Sequence, residues 1–73
     1  MTNYTVAMAT YYNGAWHADV NTESAQMNEQ EAIKRGHELS NLGAFPLYTE
    51  YVDNQMTCYM VEYNGHLERA FGL

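Results

Sequence analysis

The side chains able to do chemistry are one thiol, Cys58, three histidines, His17, His37 and His66, and nine carboxylates. A nucleophilic thiol needs a neighbouring base and an electropositive setting that lowers its pKa. The run Thr57-Cys58-Tyr59-Met60 supplies neither, so Cys58 is expected to be a small core residue beside Thr49 and Met60. The histidines show no i,i+4 and no His-x-His spacing, and therefore assemble no zinc ligand set. His17 reads as an exposed cross-strand residue opposite Thr10. Carboxylates that cleave glycosides must face each other across a cleft, whereas these are scattered, and glycine-rich phosphate loops are missing. The expectation is a noncatalytic chain with no metal and no cofactor.

The elements that must position these residues are announced by two copies of one turn, Tyr12-Asn13-Gly14 and Tyr63-Asn64-Gly65. Asn-Gly supplies the two positive-φ positions of a type I′ turn, so each copy predicts a tight antiparallel hairpin. Strands are expected over Tyr4–Tyr12 and Ala15–Val20, with Tyr11 facing Trp16, Ala9 facing Ala18 and Ala7 facing Val20. One face then carries Tyr11, Trp16 and the three alanines. Small side chains permit close approach, so this face is expected to meet a helix, leaving Val6, Met8, Thr10, His17 and Asp19 on the other.

Asn21–Met27 reads as a polar connector ending at a helix cap, Asn28, with Glu31 at capping-box spacing. The helix is predicted from Glu29 to about Asn41, with Ala32, Ile33, Gly36, Leu39 and Leu42 as its apolar stripe and Gly43 just past its end. A third strand is expected between Phe45 and Val52. Asp53-Asn54 turns the chain into a fourth over Gln55–Tyr63, and His66 to Phe71 forms a short last one. A two-residue loop sets Tyr51 opposite Met56, Thr49 opposite Cys58 and Leu47 opposite Met60, which builds a core face. Tyr48, Glu50, Thr57, Tyr59 and Val61 then point outward.

The fold class is thus α+β: a single antiparallel sheet of four or five strands in ββαβββ order, with one helix packed on one face. At 73 residues the chain is one small domain, and a domain of this size buries only roughly 60% of its unfolded surface. Nine acidic against three basic side chains give a net charge of −6. Direct nucleic-acid binding is excluded on that ground, because phosphate contact needs a cationic surface. A membrane span is excluded by the absence of a long apolar run. A single unpaired cysteine and no recognisable leader point to a reducing cytoplasm.

The N-terminal hairpin, the helix-opening stretch Asn28-Glu29-Gln30-Glu31-Ala32-Ile33 and the tyrosine-rich meander resemble the layout of small phage-encoded proteins. These include anti-CRISPR proteins and phage inhibitors of host RNA polymerase. What the resemblance implies is an inhibitor or adaptor that binds a larger host protein and blocks a basic, nucleic-acid-binding surface. The residues expected to make that contact are Tyr48, Glu50, Tyr59 and Glu68 on the outer sheet face, with His17 and Asp19 on the neighbouring hairpin. The alternative is a self-associating module, a homodimer formed through a sheet edge or face.

Overall fold

The computed structural model describes residues 1–70 of the chain. Strands β1 (Thr2–Tyr12) and β2 (Ala15–Ala18) precede a 3₁₀ turn (Val20–Thr22) and helix α1 (Glu29–Asn41). Strands β3 (Pro46–Val52), β4 (Gln55–Tyr63) and β5 (His66–Arg69) follow. All pairings are antiparallel and give one five-stranded sheet in the order β2-β1-β3-β4-β5, with α1 across one face. This is the α+β, ββαβββ arrangement expected from the sequence. The last strand ends at Arg69, and Phe71 lies outside the described residues.

Both Asn-Gly turns adopt the required left-handed pair, with φ of 51° and 78° at Asn13 and Gly14 and 52° and 83° at Asn64 and Gly65. Helix α1 opens as expected: Asn28 Oδ1 accepts from the Glu31 amide at 2.9 Å, while Asn28 Nδ2 donates to Glu31 Oε1 at 2.8 Å. It closes in a Schellman motif, in which Gly43 (φ 87°) donates to Ser40 O at 3.0 Å and Ala44 to Leu39 O at 3.1 Å. Leu42 is part of that cap and is 83% exposed, so it does not extend the apolar stripe.

The connector after β2 does more than link. Strand β1 pairs with β2 only over residues 9–12, and β3 occupies its opposite edge. The edge left open is taken by the connector: Asp19 N donates to Met8 O, Ser24 N to Val6 O, and Tyr4 and Met27 exchange both backbone bonds at 2.8 Å. Ser24 Oγ and Thr22 Oγ1 accept from the Val6 and Met8 amides. Consequently β2 stops at Ala18, and Val20, in the 3₁₀ turn, does not pair with Ala7.

The face under the helix is the reverse of the expected one. Val6, Tyr48, Met60 and Leu67 form the core with Ala32, Ile33 and Leu39, and Tyr4 and Cys58 pack at its margin. Ala7, Ala9, Ala18, Tyr11 and Trp16 share the opposite face by strand alternation. The physical reason lies in the helix. Close approach is provided by Gly36, where an added Cβ would stand 1.8 Å from the Tyr48 hydroxyl oxygen. Small residues on the helix let the sheet present a tyrosine, so small residues on the sheet are not needed.

A second correction concerns β3 and β4. Tyr51 pairs with Met56 as the two-residue turn dictates, but an irregularity between Glu50 and Tyr51 displaces everything beyond it. Thr57 becomes the extra residue, its hydroxyl donating to Glu50 Oε1 at 2.6 Å. Cys58 therefore faces Glu50, Tyr59 faces Thr49 and Met60 faces Tyr48. A bulge of one residue inverts which side chains of β3 accompany Cys58 and Met60 into the core.

Candidate functional site

The site is the sheet face that α1 leaves uncovered. Its centre is an aromatic cluster held by two chain segments. The type I′ turn brings Tyr11 and Trp16 opposite each other, and their rings meet edge to face with centroids 5.3 Å apart. Phe45, just before β3, stacks on Trp16 with ring centroids 5.9 Å apart. Its position follows from the backbone, because Phe45 O accepts from the Ala9 amide at 2.8 Å. Strand alternation places Tyr51, Tyr59, Val61 and Tyr63 on the same face.

Beneath these side chains the face is sealed. Ala7, Leu47, Thr5 and Thr49 are buried although no helix lies over them. Above, Tyr11 and Tyr63 are each 62% exposed, Phe45 is 55% and Trp16 36%. Large rings standing on a closed floor with their outer surfaces in water are the anchors typical of protein interfaces.

The charge on this face is of one sign. The chain has only three Lys and Arg residues; Lys34 and Arg35 are on α1, and Arg69 shares the helix side with its cross-strand partner Met60. Glu68, opposite Val61, and Glu23, whose Oε2 accepts from Thr5 Oγ1 at 2.7 Å, border the uncovered face. Burial, followed by the Glu23 carboxylate, raises the pKa of Tyr51.

The residues expected to form the contact surface are divided by the fold. Tyr59 and Glu68 lie on the uncovered face. Tyr48 does not: it is fully buried under α1, and its hydroxyl has no hydrogen-bond partner. Burial, then the Glu62 carboxylate, pushes that hydroxyl up to about 12. Glu50 is on the same side as Tyr48 and is engaged by Thr57. His17 is not the free exposed residue expected; its ring stacks on Tyr12 at 4.0 Å, and its Nε2 is buried without a partner. Asp19 caps the 3₁₀ turn, its Oδ1 accepting from the Asn21 amide at 3.0 Å. Tyr48 and Tyr59 are thus on opposite sides of the sheet, not neighbours, because the bulge at Thr57 intervenes.

Sequence reasoning missed Phe45 and Tyr63 and assigned Tyr11 and Trp16 to the wrong layer. One signal could have exposed the error. A helix whose inward stripe is Ala32, Ile33, Gly36 and Leu39 is too narrow to cover an indole and several phenol rings in addition to a core. Among the described residues no group of three or more His, Cys, Asp or Glu could hold a metal ion, and no helix is long and apolar enough to cross a membrane. No protein-family model, curated protein or solved structure matches the chain.

Proposed function

We propose that this chain is a noncatalytic binding protein, an inhibitor or adaptor of the kind found among small phage-encoded proteins, acting in a reducing cytoplasm. Its partner is a larger protein with a basic, nucleic-acid-binding surface, and the uncovered sheet face is the part that docks. The observation supporting this reading is the Tyr11–Trp16–Phe45 cluster standing on a face bordered by Glu23 and Glu68 and free of Lys and Arg. Aromatic anchors supply affinity, while the acidic border and the net charge of −6 steer association toward cations. The acidity also disfavours self-association through this face, and the edge strands open to pairing, β2 and β5, are only four residues each.

Capture from a bacterial lysate tests the proposal when the wild type is compared with Trp16→Ala, Phe45→Ala and, as a control on the other side, Lys34→Glu. A basic nucleic-acid-binding protein retained by the wild type and the control but lost by both aromatic variants supports it. Retention indifferent to Trp16 and Phe45, or a concentration-dependent dimer that accounts for all binding, overturns it.

A further inference from the structure

A second feature adjoins the aromatic cluster. Between the C-terminal end of α1 and the start of β3 lies a cleft of about 530 Å³, walled by Ser40, Gly43, Phe45 and Glu62 and bounded below by Tyr48. Phe45 belongs to both features: one ring stacks on Trp16 and lines the cleft. The cleft lies on the helix side at this end of the sheet, and Phe45 is the residue through which it meets the aromatic cluster.

Three features of the cleft suit a cation. Glu62 is 24% exposed, and His37 Nε2 holds its Oε1 at 2.7 Å. Its other oxygen makes no hydrogen bond among the described residues. The last turn of α1 carries no basic residue, so the negative end of the helix dipole at the cleft wall is uncompensated. The exposed ring of Phe45 offers a surface on which a planar cation stacks.

We infer that this cleft seats an arginine side chain of the basic partner, the guanidinium donating to Glu62 Oε2 and stacking on Phe45. Arginine fits better than lysine, because it stacks and donates from the same planar group, whereas an ammonium is a compact, strongly hydrated charge. The inference rests on the docking proposal for the identity of the arginine's owner, but the seat itself is testable without that partner.

The test is an NMR titration of the full chain with Nα-acetyl-arginine methylamide, in parallel with its lysine and norleucine counterparts. Saturable shifts at the amides of Ser40, Gly43, Ala44 and Glu62 are expected with the arginine probe alone. Glu62→Gln should weaken that binding by about tenfold, because the amide oxygen still accepts but lacks the charge that strengthens the bond, and Phe45→Ala should weaken it as well. Shifts that fail to saturate, that norleucine reproduces, or that survive both substitutions overturn the seat; equal binding of the lysine probe overturns the guanidinium assignment. Trp16→Ala should abolish partner capture while weakening arginine binding less than Phe45→Ala does, because Trp16 touches the seat only through its stacking on Phe45. Loss of arginine binding with Trp16-dependent capture preserved removes the cleft and leaves the docking face standing. Arginine binding with Trp16-independent capture does the reverse.

Discussion

The two faces of the sheet draw on similar residues, tyrosines with small and branched apolar side chains, yet one is closed and the other open. On the closed face Tyr48 is fully buried and its hydroxyl meets the backbone of Gly36, leaving no donor or acceptor within reach. On the open face Tyr11 and Tyr63 keep most of their surface in water. A phenol is a core filler or a contact anchor according to what stands opposite it, and here a single helix supplies enough material for one side only. The comparison also shows where tolerance should lie. The closed face is constrained by shape, and on the docking proposal the open face is constrained by what it must contact.

The largest effect should come from the closed face. Gly36→Ala would place a methyl carbon 1.8 Å from the Tyr48 hydroxyl and 2.6 Å from the ring carbon that bears it. Overpacking of this sort costs about 1–3 kcal/mol, more than the roughly 1 kcal/mol that alanine gains over glycine in a helix. Urea denaturation should show a lower midpoint, and a midpoint above wild type would mean that the helix is not pressed on Tyr48. Combining it with Tyr48→Phe should recover part of the loss, since the hydroxyl is gone but the ring carbon remains.

Trp16→Ala probes the open face and should separate the two quantities. Partner retention should fall by at least about tenfold, as for a buried aromatic anchor, while the denaturation midpoint moves less than for Gly36→Ala. A midpoint loss equal to that of Gly36→Ala would mark Trp16 as core rather than contact.

Tyr48→Phe alone should stabilise the protein by about 1 kcal/mol at neutral pH, because it removes a buried hydroxyl without a partner. It also carries a pH signature. The hydroxyl titrates at about 12 in the folded chain against an ordinary 10, so folding favours its neutral form. That contribution is complete below pH 10 and is lost as pH rises toward 12. In the phenylalanine variant this part of the alkaline decline should vanish; an unchanged decline would place its origin elsewhere.

The smallest change in stability is expected from Glu68→Lys, within about 0.5 kcal/mol for an exposed strand position. Its effect should appear in association, slower and less sensitive to salt, measured by surface plasmon resonance with the captured partner. Association rates unchanged across ionic strength would remove electrostatic steering while leaving the aromatic anchors untouched.

Much of the framework could be read directly. The Asn-Gly pairs set both outer hairpins, Asn28 and Glu31 opened the helix, Gly43 closed it, and the pairings Tyr11–Trp16 and Ala9–Ala18 followed from turn length alone. The site was less legible. Register reasoning puts Tyr59 and Glu68 on the outer face, which is the open one, but puts Tyr48 and Glu50 there too and sends Trp16 to the core. These errors trace to one feature without a local signature, the choice of which face the helix covers, while the bulge at Thr57, equally unsigned, is what separates Tyr59 from Tyr48.

Turn geometry and helix capping are properties of neighbouring residues, and the sequence determined them because a few φ/ψ preferences and short-range hydrogen bonds suffice. The side on which α1 lies was decided only in the tertiary structure. Both hairpin faces are apolar enough to accept a helix, so the outcome depends on shape: Gly36 and Ala32 accept Tyr48 and Val6 at close range, and no pattern in either segment alone encodes that fit.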